Sequence, residues 1–266
     1  MSAILVSNLV KRFASQTVLD KVSFSVEEGE IIAILGRSGT GKSVLLKTVI
    51  GLIDPDEGRV EVLGRSLHDL PERERLHARK DLGYVFQGAA LFDSLSVLEN
   101  VGFILYQARV DETEIRERVH RVLQMVGLEH AIDKLPSELS GGMQKRVGLA
   151  RALVGDPRVV LFDEPTSGLD PVTTAVIDRI ILRLRSQLQV TSLVVTHDLS
   201  SAFGIADRII LLDRGHIVAM GTADQIRATD NAWVQRFIRG QADPEELGES
   251  APMRVPVRHT RKQTDY

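Results

Sequence analysis

The 266-residue sequence contains no cysteine, which removes disulfides, thiolate metal sites and cysteine nucleophiles together. That absence suits a reducing compartment. Charge of either sign is not in excess: 33 Lys and Arg stand against 36 Asp and Glu, a net charge of -3, so bulk electrostatics give no argument for a nucleic-acid partner. Long apolar runs are missing too. The longest strongly apolar stretch is Ile31 to Leu35, far short of the 18 or so residues a membrane-spanning helix needs, and it reads as a buried strand. The N-terminus has no basic stretch followed by an apolar region, so no signal peptide is expected. These absences predict a cytosolic chain that reaches a membrane only where another protein recruits it. What remains is ordinary: 43% hydrophobic and 26% charged residues, enough for one large globular domain or one domain with a tail.

Along the chain, residues 1 to 30 alternate apolar and polar, as in Val22-Ser23-Phe24-Ser25-Val26, and predict short antiparallel strands. Glu30 to Leu35 predicts a strand, and Val44 to Ile50 a helix. Gly58 to Gly64 reads as another short strand between turns. From about 88 to 155 the pattern becomes helical. Asp111 with Glu114 predicts a capping-box-like start, and Ile115, Val119, Leu123 and Val126 recur at helical spacing before Gly127. Val159 to Phe162 and Ser192 to Val195 are β-branched, apolar runs of the kind found in central parallel strands. Asp170 as N-cap and Pro171 at the first helical position predict a helix through about Leu188. No internal repeat is evident. Residues 241 to 266 lose the periodicity, with acids first (Asp243, Glu245, Glu246, Glu249) and bases after (Arg254, Arg258, Arg261, Lys262). They predict a mobile tail, the alternative being a segment that docks on a partner subunit.

Gly36-Arg37-Ser38-Gly39-Thr40-Gly41-Lys42-Ser43 satisfies G-x-x-x-x-G-K-[ST] at every fixed position, between a predicted strand and a predicted helix, the context a P-loop requires. Its glycines let successive N–H groups turn inward at a helix N-terminus and form an anion site. Lys42 would reach the β- and γ-phosphates of a nucleotide, and the Ser43 hydroxyl would ligate Mg²⁺. Val159 to Phe162 ends in Asp163-Glu164, and carboxylates at the C-terminal end of a buried strand lie where open α/β sheets bind ligands. Asp163 would hold Mg²⁺ through its water shell, and Glu164 would orient and polarise the attacking water. Many strands end in an acid for no chemical reason; with Lys42 upstream that bland account loses most of its weight. His197, just past Ser192 to Thr196, would hydrogen-bond the γ-phosphate, although a histidine there is more often structural. Gln87 follows Gly83 to Phe86 in a similar place and competes with a plain surface glutamine. Phe13 would stack on an adenine ring, where an isolated Phe in a strand is more often core.

A second glycine segment, Leu139-Ser140-Gly141-Gly142-Met143, stands 20 residues before Val159 and carries no lysine. Helix capping by Ser140 would explain part of it. Two adjacent glycines nevertheless cost roughly 1 kcal/mol each in a helical turn relative to alanine, which makes sense if a ligand must approach the backbone closely. With one lysine-bearing P-loop in the chain, the natural target is a nucleotide held by another copy. A symmetric head-to-tail pair would then bury two ATP molecules.

Taken together, these residues resemble the ATP-binding subunits of ABC transporters over about residues 3 to 240. The elements stand in order as Phe13, the adenine-stacking aromatic; Gly36 to Ser43, the Walker A loop, with Val44 following; and Gln87, the Q-loop. Then come Leu139-Ser140-Gly141-Gly142, the signature; Asp163-Glu164, Walker B; Ser167-Gly168-Leu169-Asp170, the D-loop; and His197, the switch histidine. The set departs from the usual pattern at Met143, where Gln is common, and at Phe13, where Tyr is commoner. The resemblance implies an α/β fold: a P-loop NTPase core with a mostly parallel sheet, an N-terminal antiparallel β part and an inserted helical subdomain at about 88–155, within an ATP-binding domain spanning 1–240. It also implies Gln87 as a further Mg²⁺ ligand, and Asp170, with Ser140, Gly141 and Gly142, among the residues around ATP. Within the family, Phe86 to Val101, and Ala90-Leu91-Phe92-Asp93-Ser94 in particular, is similar to the Mla (MCE-associated) lipid transporters.

The expectation is an ATPase in which ATP on Lys42 of one copy is clamped by Ser140 and Gly142 of another, closing a homodimer that drives a separate integral membrane permease from the cytoplasmic side of the inner membrane. MCE-domain and small accessory subunits are further implied partners, with lipid as cargo. The alternative is a soluble ABC-type ATPase acting on a non-transport machine. A kinase or GTPase fits less well: there is no Asn-Lys-x-Asp motif, and the second cradle would be unexplained.

Overall fold

The computed structural model describes residues 2–241, so the expectation about the tail lies outside the described residues. Two sheets organise the chain. Strands β1 (Ser2–Phe13), β2 (Gln16–Glu27) and β4 (Glu57–Val62) form an antiparallel sheet in the order β2-β1-β4. The second sheet has the order β5-β6-β7-β3-β8-β9. It contains β3 (Ile31–Leu35), β5 (Leu82–Val85), β6 (Val159–Asp163), β7 (Thr191–Thr196), β8 (Arg208–Asp213) and β9 (His216–Gly221), parallel throughout except for the β8–β9 pair.

Every residue of β3, β6 and β7 is buried, as a parallel strand covered on both faces requires. Alternate residues face opposite layers. Ile32, Ile34, Leu161, Leu193 and Val195 pack with the antiparallel sheet and with Leu45, Leu46 and Val49 of α1 (Lys42–Val49). On the other face, Val160, Phe162 and Val194 pack beneath α3 (Val97–Gln107), α4 (Glu112–Met125), α5 (Gly141–Leu153) and α6 (Pro171–Leu188). Ala33, Leu35, Ile209 and Leu211 lie under α7 (Leu199–Ile205), α8 (Ala223–Ala228) and α9 (Ala232–Ile238). A short α2 (Glu72–Ala78) precedes β5. Within α9, Trp233 and Phe237 stack at 5.2 Å and pack on this core.

Two expected boundaries change. The helical stretch expected from about 88 begins at Val97, where Ser96 and Glu99 form a reciprocal capping box. Residues 88–96 are irregular, pinned by the fully buried Asn100, which accepts from the Phe92 N–H at 2.8 Å and donates to the carbonyls of Phe92, Leu95 and Ser96. At the other expected box, Asp111 caps α4 alone through the Thr113 N–H, because the Glu114 carboxylate instead pairs with Arg118 at 2.7 Å.

Candidate active site at the strand ends

Four neighbouring strands of the central sheet, in the order β5-β6-β7-β3, end at the same level: Val85 pairs with Phe162, Asp163 with Val195, and Leu35 with Thr196. Residues at or just beyond these ends are therefore delivered to one place. Gln87 comes from β5, Asp163 and Glu164 from β6, His197 from β7, and the glycine loop from β3. Ser38, Gly39, Gly41, Lys42, Ser43, Val44, Gln87, Glu164 and His197 line one open cleft of about 530 Å³, with Val18 of β2 at its side. Another cleft, of about 430 Å³, is lined by Glu28, Val190 and Thr191 at the opposite ends of the strands and by Val122 and Met125 of α4. It contains none of the expected site residues.

The glycine loop has the conformation of a cradle. Gly39 and Gly41 have φ of 78° and 98°, in the left-handed region open to glycine. A side chain at Gly36 would meet the Leu212 carbonyl oxygen at 2.2 Å, so the loop must pass bare against β8. The Thr40 hydroxyl braces it by donating to the Arg37 carbonyl at 2.9 Å. Lys42 is buried, and its Nζ donates to the carbonyls of Gly36 and Arg37 at 2.8 and 2.7 Å. Burial lowers its pKa, against the charges of Glu164 and Asp163. An ammonium so placed, with only neutral acceptors in direct contact, is suited to exchanging them for phosphate oxygens.

The Ser43 hydroxyl donates to one Asp163 oxygen at 2.8 Å, and the Tyr84 hydroxyl to the other at 3.0 Å. A hydroxyl, a carboxylate and the nearby Gln87 amide are hard oxygen donors of the kind Mg²⁺ prefers, so the residues present fit that ion. Burial, first, and the adjacent Asp163 push the Tyr84 phenol well above its ordinary pKa, so it stays a donor. Glu164 lies 8% exposed, with His197 Nδ1 at 2.7 Å from its Oε2.

Some expected residues lie elsewhere. Phe13 ends β1 at 46% exposure with Lys11 Nζ 5.3 Å from its ring centroid, and it is not among the residues lining the cleft. Asp170 caps α6, accepting from the Val172 and Thr173 N–H groups. Ser140 caps α5 through the Met143 N–H at 3.3 Å. Ser140, Gly141 and Gly142 are likewise absent from the cleft's lining. The two glycines differ: a Cβ at Gly142 would stand 2.8 Å from Thr173 Cγ2, whereas one at Gly141 would meet nothing within 4 Å. Met143 is partly buried and packs against the helical core. Val18 and Tyr84 were not anticipated from sequence as site residues, since their contacts span distant segments and follow no motif.

Residues 19–167 match the ABC transporter family. Relatives include a probable ribonucleotide transport ATP-binding protein of Mycobacterium leprae, 40% identical over 90% of this chain and 69% of the relative. An intermembrane phospholipid transport system ATP-binding protein of Haemophilus influenzae is 38% identical over 90% of both chains. The Arabidopsis thaliana chloroplast protein trigalactosyldiacylglycerol 3 is 41% identical over 89% of this chain and 73% of the relative. Among solved structures, the dimeric ATP-binding cassette MJ0796 in a post-hydrolysis state with ADP and Pi superimposes with a TM-score of 0.77 at 34% identity, over 83% of this chain and 98% of that one. The cbiO1 protein of Clostridium perfringens, part of an ABC transporter complex, gives 0.80 at 30% identity, over 90% and 95%. Joined to the cradle, the buried lysine and the paired carboxylates at the strand ends, these likenesses establish that the chain belongs to the ABC transporter family as an ATP-binding subunit that hydrolyses ATP to power transport.

Proposed function

We propose that this chain pairs with a second copy around two ATP molecules, drives a separate integral membrane permease from the cytoplasmic face of the cell membrane, and serves the transport of lipid. The observation that carries the pairing is the separation of the two cradles. Lys42 and Glu164 line one cleft, while Ser140, Gly141 and Gly142 stand outside it at the start of α5. A second copy supplies what each cleft lacks. The open space at Gly141 supports this, because nothing among the described residues requires a glycine there.

On this reading Lys42 and the loop amides of Gly36 to Val44 bind the phosphates, and Phe13 packs on the base. Glu164 orients and polarises the attacking water. His197 and Gln87 read the presence of the γ-phosphate, and Asp170 borders the second copy's site. Ser43, Gln87 and Asp163 would hold Mg²⁺, which would supply charge neutralisation at the phosphates. Closure does mechanical work because ATP binds the closed pair more tightly than the open one, and loss of phosphate reverses it. Phe86, Phe92, Ile104 and Tyr106, exposed between 39% and 43% on and near the segment after Gln87, supply apolar surface for a permease. Among the described residues no helix is long and apolar enough to cross a membrane, which is consistent with a separate permease.

Lipid as cargo is supported by the Phe86 to Val101 stretch and by the phospholipid transport relative. An MCE-domain chain and small accessory subunits are the further partners that follow from it. The mycobacterial relatives' name favours ribonucleotides as a second reading. Co-purification of the full chain from native membranes, with identification of partner chains and bound small molecules, separates them. A permease, an MCE-domain chain and phospholipid support the proposal. A bound nucleotide cargo supports the second reading, and a purely soluble pool without a membrane partner overturns both in favour of a non-transport ATPase.

A further inference from the structure

Lys145 stands in the second turn of α5, the helix that begins at the lysine-free cradle. Its Nζ leaves its own helix and donates to the backbone carbonyl of Ser167. Ser167 closes a short turn with Glu164, donating its N–H to the Glu164 carbonyl at 3.2 Å. Glu164 opens that turn with φ at 51°, a left-handed backbone that costs a non-glycine residue energy unless its surroundings hold it. The Lys145 side chain is partly buried; burial lowers its pKa and the Glu164 charge opposes that, so the ammonium lies within the field of the carboxylate. A second contact holds α5 to the helix that follows this turn, because α5 approaches α6 so closely at Gly142 that a Cβ would collide with Thr173.

We infer that Lys145 is a positioning residue that ties the Ser140–Gly142 cradle to Glu164 within one copy, so that a nucleotide gripped by the cradle sets the geometry of that copy's own Glu164. The inference rests on the proposed role of the cradle as the cap on a second copy's ATP. Its physical basis is stiffness. Ser140 and Lys145 are about 7.5 Å apart along one helix, and the lysine passes any movement of that helix straight to the turn carrying the carboxylate. Without it, the chain route from α5 to Glu164 runs through the Gly155 to Arg158 connection and the whole of β6. The consequence is cooperativity: each ATP site is told, through the capping copy, that the other is occupied.

The test measures ATP hydrolysis against ATP concentration for the full chain, for Lys145→Met, which keeps the length and apolar stem, and for Lys145→Arg, which keeps the donor. The wild type is expected to give a Hill coefficient between 1 and 2, the limit set by two sites. Lys145→Met is expected to drop to about 1, with kcat lower by roughly 2- to 30-fold. Its affinity for a fluorescent ATP analogue should be unchanged, and Lys145→Arg should recover the wild-type coefficient. A wild-type coefficient of 1, a Lys145→Met coefficient equal to wild type, or an arginine that fails to rescue overturns the inference. Light scattering of Glu164→Gln with ATP tells the two levels apart. A chain that stays monomeric overturns the pairing itself, and one that pairs while Lys145→Met keeps its cooperativity overturns only the lysine link.

Discussion

His197 Nδ1 and Glu164 Oε2 lie 2.7 Å apart, and the His197 backbone N–H donates to the same oxygen at 3.3 Å. The two side chains differ sharply in exposure, 61% for His197 and 10% for Glu164. A carboxylate so buried needs a partner, whereas the imidazole is solvated enough to leave it. The backbone N–H of Glu164, donating to the Val195 carbonyl at 2.9 Å, holds the acid in its left-handed conformation independently of the histidine.

Glu164→Gln keeps the side chain's shape and removes its basicity. ATP binding is expected to survive, turnover to fall on the order of 10²- to 10⁴-fold, and the chain to accumulate as a pair when ATP is present. Phosphate release and light scattering measure both; rapid turnover in this variant would remove Glu164 from the chemistry.

Lys42→Met tests the buried ammonium in two ways. Nucleotide binding should be lost, as read by a fluorescent ATP analogue. The second effect concerns pH without ligand. The folded-state pKa of Lys42 is lowered, so between that value and the ordinary 10.5 the unfolded chain binds more protons. Wild-type stability should therefore gain with rising pH in the window just below 10.5, relative to Lys42→Met. Urea titrations of both proteins at a series of alkaline pH values give the difference, and parallel curves would contradict it.

Gly141→Ala separates stability from function. The position has open space and an ordinary backbone, so alanine should leave the isolated chain unchanged or stabilise it by up to about 1 kcal/mol. ATP hydrolysis should nonetheless fall, because the methyl intrudes where a second copy's nucleotide must approach. An alanine variant with full activity would leave the glycine unexplained.

Asn100→Ala removes four hydrogen bonds from a fully buried side chain. The expected cost is about 3 kcal/mol, since the Phe92 N–H and the Leu95 carbonyl lose their partner, while the Phe92 and Ser96 carbonyls keep the backbone N–H groups of Leu95 and Asn100. A shift in the urea midpoint at constant slope measures it.

The sequence made visible several features that are contiguous. The glycine loop, the apolar run ending in Asp163-Glu164, and the Asp170-Pro171 start of α6 each carry their meaning within a few residues, and the structure places their elements accordingly. Contacts between segments left no local trace. Tyr84 meets Asp163 across 79 positions and Lys145 meets Ser167 across 22, with nothing in either neighbourhood to announce the pairing. The late start of α3 had a local signal in Ser96 and Glu99 that the broader helical pattern obscured. Glu114 shows the reverse, a box whose acid is diverted by an arginine one turn on.

Because Gln87, Asp163, Glu164 and His197 sit at or just past the ends of strands locked to their neighbours, the site tolerates very different errors in different places. Residues added to the connection between α4 and α5 would leave the ladder intact. A single deletion between Val159 and Phe162 would not, because strand faces alternate with a period of two. It would turn Asp163 away from Ser43, bring Glu164 into the ladder, and put Phe162 and its neighbours on the wrong sides of a sheet buried on both. Natural length variation in relatives of this chain should therefore gather in the connections and spare these short strands.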